Sequence, residues 1–480
     1  MDKRVVIAGG AAVALAAVGV GASYVAGTKA EQALQAETAA WAQALPFVKV
    51  LDQTYDRGVF GATRTVRLQL GCGMPAAEGR PASPGPVVLV LHDRIQHGPL
   101  PGLRHLGAAA IDTEVTLDEP QRAAVQKALG TELKPITVHT LAGFGGGFSS
   151  DFEVPQLVVN VTPQQAFNFS GLQGHMEKSG RTVRYEARMP SFEMKDETTG
   201  MTMKVAAIAV RGEGEQAGEL AWMVLGKGSA DIGTLEMVVP PKEGSAPMRV
   251  RFADMKSSSD ASVDKDLLTS KMSFTGSGQI ADMKIDSIDA QVSVKRIHLP
   301  SYQKIIGQAL GAATCGPAAD ADPAAAAQMQ MAAIQGMFAA LLPHDPEYSL
   351  DHLKATIAGK EGSIAYSFGS KGIVAQDLEN PNLPALLPKL VLKANASIPV
   401  AWVEAVVAAA ATHQDPNAAL PPPGAMDPAI DQLVQKGLVR READVLVGQM
   451  EFSGGALTVN GRPMPLPIAG MAPADPNAPR

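Results

Sequence analysis

Apolar and polar side chains alternate through most of residues 47–300, and this period of two constrains the fold more than any other feature of the chain. Segments such as 152–161, 181–189 and 248–255 place every second residue on one face, as strands with one buried and one wet face do. Turn residues separate the segments and no helical pattern interrupts them, so the sequence predicts an antiparallel meander. A sheet this long must twist strongly, split or curl.

Helical periodicity is found before this region and in the last third of the chain. Residues 28–46 are rich in Ala, Glu and Gln, while Asp322 and Asp427 each precede a proline, a pair typical of the start of a helix. At Pro399 a strand pattern changes into a helical one. The predicted fold class is mainly β with accessory helices (α+β): an N-terminal transmembrane helix, then a large, twisted, mostly antiparallel sheet with Ala-rich helices docked on it.

The N-terminal segment predicts the transmembrane helix. Lys3 and Arg4 precede residues 5–26, which carry no charged side chain and are long enough to cross a hydrocarbon core of about 30 Å. Basic residues in front orient such a helix with its N-terminus in the cytoplasm. A cleaved signal peptide is the alternative, because the small residues at 21–23 resemble a cleavage site. The uncharged run exceeds a signal core of about 7–15 residues, so we expect an uncleaved, single-pass anchor.

Seven segments are predicted along the chain. A cytoplasmic N-terminus and the anchor precede a juxtamembrane helix, a strand-rich region and a helical insertion. C-terminal strands and helices then complete the body, and a flexible tail follows. These segments are residues 1–4, 5–26, 28–46, 47–300, 301–345, 346–468 and 469–480.

Charge and motifs exclude some functions and leave little support for catalysis. The formal net charge is -7 and no basic stripe exists, so nucleic acid is not an expected partner. A metal-dependent hydrolase could use His92, His97 and His105, but the first two point to opposite faces of a regular strand. The glycine-rich residues 143–147 lack the Lys-Ser/Thr pair of a phosphate-binding loop. We therefore expect no metal site, no cofactor and no enzymatic activity.

The two cysteines are far apart in the sequence. In an oxidising compartment Cys72 and Cys315 could form one disulfide, which their separation neither supports nor excludes. No Cys-x-x-Cys pair or zinc-finger spacing occurs. The pairing therefore stays open at this point.

The stretch TYDRGVFGATRTVRLQL, residues 54–70, joins a charged turn to an amphipathic strand. The turn is predicted at 56–58, and the alternation over 66–70 predicts a strand with its apolar side chains on one face. Arg64 and Arg67 are expected on the wet side of that strand. The stretch is thus interpreted as the junction between the anchor and the sheet.

Several motifs together resemble the YdgA family, a bacterial family of unknown function. They are the N-terminal anchor and helix, YDRGVFGATRTVRLQL, QHGPLP at 96–101 and GALTVNGRPMPL near the C-terminus, with a weaker match in FNFSGLQGHM at 167–176. The resemblance implies an inner-membrane protein of a Gram-negative bacterium with its body in the periplasm, and it supplies no catalytic residue. The motif positions of unknown role are Tyr55, Arg57, Gly58, Phe60, His97, Gly98, Pro99, Asn460 and Gly461.

Two functions from different classes fit these features. The first is a membrane-anchored envelope protein whose curved sheet binds a lipid or another apolar ligand. The second is an envelope scaffold or assembly factor that contacts another envelope protein or a second copy of itself through sheet edges. The metal-dependent hydrolase is the weakest alternative.

Overall fold

A computed structural model of the chain describes residues 47–71, 86–130, 132–162, 164–217, 223–240, 247–315, 335–379, 382–414 and 424–465. It also describes residues 27–36 and 38–40 and the single positions 23, 42, 45, 328, 331 and 422. The predicted anchor, apart from Ser23, the predicted tail and Cys72 lie outside the described residues. Among the helices that are described, none combines the length and hydropathy needed to cross a bilayer.

Twenty-two described strands form one antiparallel sheet. The strands are β1 (Val48–Arg57), β2 (Gly61–Leu70), β3 (Val87–His97), β4 (Ala109–Leu117), β5 (Ile136–Ala142), β6 (Phe148–Val154), β7 (Leu157–Thr162), β8 (Gln165–Phe169), β9 (Leu172–Ser179), β10 (Thr182–Asp196), β11 (Met201–Gln216), β12 (Val224–Val239), β13 (Met248–Asp264), β14 (Leu267–Ile280), β15 (Met283–His298), β16 (Glu347–Ile357), β17 (Lys360–Ser370), β18 (Leu390–Pro399), β19 (Arg440–Glu442), β20 (Val445–Ser453), β21 (Ala456–Val459) and β22 (Arg462–Met464).

The sheet is close to a simple meander. Strands β1 to β6 are neighbours in sequence order, β9 lies beside β6, and β10 to β18 continue in order. Strand β20 then pairs with β18, followed by β21 and β22. The β7–β8 hairpin pairs with the second half of β10, and β19 pairs with β20. A mostly antiparallel β fold with a few helices is therefore what the chain adopts.

Helices lie at both ends of the meander and between some strands. They are α1 (residues 27–36), α2 (Glu119–Leu129), α3 (Leu299–Cys315), α4 (residues 335–341), α5 (Ala375–Glu379), α6 (Leu383–Leu386), α7 (Val400–Gln414) and α8 (Asp427–Gln435). The expectation of an uninterrupted strand region is wrong at α2. There the Asp118 side chain accepts a hydrogen bond from the Glu119 N–H group, Pro120 occupies the first turn, and Gly130 ends the helix in a left-handed conformation.

Proline and glycine divide two segments that read as continuous strands. Residues 152–161 belong to β6 and β7, because Pro155 interrupts the pattern between them. Residues 167–176 belong to β8 and β9, and Gly171 between them has a φ of 96°. The hairpin between β16 and β17 turns at residues 358–359, between the paired residues Ile357 and Lys360.

Helix α1 covers the first strands of the sheet. Its residues Ala30 and Leu34 pack against a cluster of buried apolar side chains, Ala62, Ile95, Ala109 and Ile111. A second cluster lies farther along the same strands and consists of Val48, Val66 and Leu68. Val66 and Leu68 thus face the core together, as the alternation predicts.

A crease crosses the long central strands β10 to β13. It is defined by Pro190, Ala207, Gly233 and Asp254, which lie side by side where the regular ladder is interrupted. Ala207 and Asp254 have φ values of 55° and 51°, in the left-handed region. Along each of these strands, successive apolar residues on one face are two residues apart, but across the crease they are three residues apart. The pairs that span the crease are Met189/Phe192, Val205/Ile208, Ile232/Leu235 and Phe252/Met255. Such irregularities bend a strand and increase its twist.

The crease keeps the apolar side chains on one side of the sheet, called here the apolar face. Directly paired residues share a face, so the ladder from Val210 through Ala230, Ser257, Phe274 and Ala290 traces this face across five strands. The opposite face is charged, and opposite charges pair across strands. Arg251 Nε there lies 3.3 Å from Glu236 Oε1, and Arg184 Nη2 lies 2.9 Å from Glu213 Oε1.

The C-terminal part has its own small core. Val400 of α7, Ile430 of α8 and Leu446 of β20 are buried together. The strand-to-helix change predicted at Pro399 is confirmed, since β18 ends at this residue and α7 follows. Residues Asn460 and Gly461 form a two-residue turn with φ values of 51° and 77°, and Val459 pairs with Arg462 across it.

Asp351 lies where the pairing of β16 with β15 shifts register, and its carboxylate accepts several hydrogen bonds there. Its carboxylate accepts from Gln291 Nε2 at 2.7 Å, from Ser349 Oγ at 2.7 Å and from Ser293 Oγ. Burial alone would raise the pKa of this carboxyl, but the three hydrogen bonds outweigh it and, with the Lys295 charge, lower the pKa from 3.8 to about 2.

Asp351→Asn is expected to remove stability at neutral pH and to make the protein less sensitive to acid. Because the folded-state pKa lies below the unfolded value, the stabilisation from Asp351 is complete above pH 4 and is lost as pH falls through about 2. Thermal unfolding of the wild type and of Asp351→Asn is followed by circular dichroism from pH 7 down to pH 2. The midpoint temperatures of the two proteins should converge as the pH falls. The exposed Asp260→Asn is the matched control on β13, and an unchanged gap between wild type and Asp351→Asn at all pH values would contradict the prediction.

Candidate functional site

Most of the motif residues meet at one end of β1 to β4. Tyr55 and Arg57 lie near the end of β1, Gly58 and Phe60 form the β1–β2 turn, and His97 ends β3. The turn therefore lies at 58–60, after the predicted position, because β1 continues through Arg57. Asn460 and Gly461 lie in the β21–β22 hairpin, which the strand order places far from this end.

The motif arginine ties the sheet to helix α1. Arg57 Nη1 donates to Thr28 Oγ1 at 3.0 Å and to Glu31 Oε2 at 3.2 Å. All three residues are partly exposed or at the surface, so the ion pair alone contributes modest stability. Its geometry fixes where α1 leaves the sheet, which agrees with the interpretation of this stretch as a junction.

A buried ion pair lies beside the junction. Arg64 Nε is 2.6 Å from Asp93 Oδ2, and both side chains are less than 8% exposed. Thr113 Oγ1 also donates to Asp93, at 2.7 Å. The expectation that Arg64 lies on the wet side is wrong: Arg64 is two residues before Val66 and therefore shares its buried face. Arg67, in contrast, is on the wet side, where it contacts Asp52 and Asp118.

His97 is buried between the sheet and helix α1. A Cβ atom on Gly27 would lie 2.4 Å from its Cε1 atom, so only a glycine allows α1 to approach the ring this closely. His97 Nδ1 is 3.3 Å from the Val59 carbonyl oxygen and donates to it in the tautomer protonated at that nitrogen. After His97 the chain turns through the cis peptide between Gly98 and Pro99. A Cβ on Gly98 would lie 2.1 Å from the Gly107 carbonyl oxygen.

Three enclosed polar atoms in this cluster have no hydrogen-bond partner among the described residues. They are Tyr55 Oη, Arg64 Nη1 and His97 Nε2. Burial raises the pKa of the Tyr55 hydroxyl, and the negative charge of Glu31 raises it further. The cluster therefore combines a neutral phenol with a buried ion pair, an arrangement that stabilises a junction and lacks an activated nucleophile.

The three clustered histidines do not converge. His92 is exposed beside Thr65, His97 is buried, and the His105 ring lies 6.5 Å from that of His139. Within the described part of the chain, no three His, Cys, Asp or Glu residues are arranged to hold a metal ion.

A shallow polar depression of about 470 Å³ lies over β4, β5, β6 and β9. Asp112 and Asp151 line it, and each carboxylate contacts a histidine: His139 Nδ1 is 2.6 Å from Asp112, and His175 Nδ1 is 2.8 Å from Asp151. All four side chains are well exposed, so water screens these pairs. The depression has the character of a solvated surface.

The apolar face extends over the central and C-terminal strands and lies opposite the charged face. Most of its side chains are half-buried, and at one end large ones are exposed. One ladder connects Met272 through Val292, Leu350 and Tyr366 to Met450 at the far side. The exposed large apolar residues on this face include Tyr185, Met272, Tyr348, Tyr366, Phe368 and Met450.

Glycines let the rings lie flat on this face. A Cβ on Gly212 would be 2.5 Å from Tyr185 Cζ, and one on Gly278 would be 2.5 Å from Phe252 Cδ1. Each ring therefore covers a glycine on the neighbouring strand. Sequence alternation alone does not reveal these two contacts between a ring and a glycine.

Fold and surface together define a class: a mostly antiparallel β protein with one apolar and one charged sheet face. The chain belongs to DUF945, described as a bacterial protein family of unknown function, whose family model matches residues 1–467. No curated protein and no solved structure matches the chain.

Proposed function

We propose that the apolar face of strands β10 to β20 binds the acyl chain of a lipid or a similar long apolar ligand. The observation that carries this proposal is the continuity of the face across strands whose opposite side is charged. Neighbouring strands are about 4.8 Å apart, so the ten strands β10 to β18 and β20 span about 43 Å, the scale of several acyl chains side by side. The crease keeps both halves of each central strand aligned with this surface.

The exposed side chains at one end of the face suit such a ligand. Tyr348 and Tyr366 have ring centroids 6.1 Å apart, and Met272 and Met450 are unbranched and adaptable. These residues offer contacts by dispersion and few hydrogen-bonding groups, which fits a hydrocarbon chain better than a polar metabolite. No charged side chain lies on the ladder that joins Met272 to Met450.

The proposed setting is the bacterial envelope. In this proposal residues 5–26 anchor the chain in the inner membrane behind Lys3 and Arg4, and the body lies in the periplasm. The resemblance to the YdgA family supports the same setting. A protein that is tethered there and has an apolar face would meet lipids directly.

The test compares two neighbouring positions on opposite faces of β14. Phe274→Glu places a carboxylate on the apolar face. Because a bound ligand would remove water from this charge, the affinity for cis-parinaric acid should fall about tenfold or more. Thr275→Glu adds the same charge on the exposed face, between Lys256 and Asp289, and should leave binding unchanged. The full chain is extracted with an amphipathic copolymer, and ligand binding is measured by fluorescence titration.

Two results would contradict the proposal. One is equal binding of cis-parinaric acid by Phe274→Glu and Thr275→Glu, with both variants folded by circular dichroism. The other is a wild-type protein that binds no fatty acid and contains no lipid by extraction and mass spectrometry. In the second case, in-cell cross-linking that captures an envelope protein or a second copy would favour the scaffold function, since the same apolar face can pack against a protein.

A further inference from the structure

Three neighbouring turns at one end of the sheet expose large apolar side chains. They are the β1–β2 turn at 58–60, the β3–β4 loop at 98–108 and the β5–β6 turn at 143–147. The register places them together, since Gly61 pairs with Gln96 and Ala109 pairs with both His97 and Ala142. We call this set of turns the loop rim; its exposed apolar residues are Val59, Phe60, Leu100, Leu103, Leu106 and Phe144.

The exposure of these side chains is unusual for loop tips. Leu103 is 87% exposed, Leu106 80% and Phe60 64%, although loops of soluble proteins ordinarily carry polar residues at such positions. The described part of the protein does not cover these side chains. A covering environment outside the fold would remove this apolar area from water.

Charge on the loop rim points to the nature of that environment. The three turns contain no aspartate or glutamate, and their ionisable side chains are Arg104 and His105, both exposed. Leucine and phenylalanine beside arginine form the combination found where proteins enter the interfacial region of a bilayer. An arginine there is attracted to anionic headgroups.

The path of the chain brings the N-terminal segment to the same end. Gly27 is the first residue of α1 as described, and its backbone contacts the His97 ring at the base of the β3–β4 loop. The uncharged residues 5–26 directly precede Gly27. A membrane-inserted segment ending there would hold the loop rim at the lipid surface.

We infer that the loop rim inserts its apolar tips into the interfacial region of an anionic phospholipid bilayer. Phe60, Leu103 and Phe144 would lie among the upper acyl chains, with Arg104 at the headgroup phosphates. This surface is separate from the apolar sheet face, and the inference does not depend on the function proposed for that face. Together with the membrane anchor proposed for the N-terminal segment, it would fix the orientation of the body on the bilayer.

Lipid photo-cross-linking in the full chain tests this inference. The photoreactive residue p-benzoylphenylalanine replaces Leu103 in one variant and Leu106 in a second, in vesicles of phosphatidylcholine and phosphatidylglycerol. The matched control carries it in place of Val87, an exposed residue at the other end of β3, about 33 Å away. Irradiation followed by mass spectrometry should find phospholipid adducts at 103 and 106 and none at 87.

The inference is overturned if both loop variants are folded and neither forms a lipid adduct. It is also overturned if the control at 87 forms adducts with equal yield, since the loop rim would then have no preferred contact. A folded Leu106 variant is informative even where the Leu103 variant fails to fold. Binding of cis-parinaric acid can be normal whether or not the loop rim forms lipid adducts. A negative cross-linking result therefore does not contradict the function proposed for the apolar face.

Discussion

Replacing Asp93 by alanine should destabilise the protein by about 3–5 kcal/mol, because it leaves the Arg64 guanidinium buried without its counter-charge. Thr113 also loses its acceptor. The effect should be concentrated in β2 and β3, and amide hydrogen exchange followed by mass spectrometry should show faster exchange there than in β11 or β12. Urea unfolding gives the total change.

Two controls separate this effect from a general loss of charge. Asp52→Ala removes an exposed partner of Arg67 and should cost less than about 1 kcal/mol. The double variant Arg64→Met with Asp93→Leu removes both charges and should recover most of the stability lost in Asp93→Ala. If Asp93→Ala and Asp52→Ala are equally stable, the buried pair does not hold this region together.

Trp402→Ala should destabilise the C-terminal part by about 3–5 kcal/mol. Trp402 is 8% exposed, its ring covers Gly362, and its Nε1 donates to the Lys360 carbonyl oxygen at 2.8 Å. Removing the ring leaves a cavity between α7 and the β16–β17 hairpin. Hydrogen exchange in α7 and urea unfolding monitored by circular dichroism measure the loss.

Trp402→Phe is the matched control, since it keeps an aromatic ring over Gly362 and loses the hydrogen bond to Lys360. We expect a smaller loss of about 1–2 kcal/mol. An alanine variant as stable as the phenylalanine variant would show that the ring does not anchor α7.

The alternation of side chains is sufficient to predict the antiparallel meander, because it depends on local geometry and repeats in nearly every strand. It misses α2, whose Asp118, Pro120 and Gly130 are nevertheless ordinary helix signals in the sequence. Arg64 is predicted on the wet side although its spacing from Val66 is even. A charged side chain is expected in water unless it is paired, and the partner that makes burial tolerable, Asp93, is 29 residues away.

The site is less predictable than the fold. Tyr55, Arg57 and His97 stand out as motif residues, but their meeting with α1 depends on the pairing of β1, β2 and β3 and on a glycine at position 27. The apolar face is hidden for a different reason. Its ladders follow consecutive strands, but the three-residue steps at the crease break the alternation by which a face is recognised.

The crease limits which changes in length the chain can accept during evolution. Deleting Ala207 shortens the step between Val205 and Ile208 from three residues to two. Where β10 and β12 keep the crease, Ala206 takes its place in β11, so Val205 turns toward the charged face and Lys204 toward the apolar face. Compensating deletions would then be needed at Pro190 and Gly233 on the two neighbouring strands, and at Asp254 on β13. Insertions and deletions among relatives should therefore be found at hairpin ends, and the middle of the long strands should keep a constant residue count.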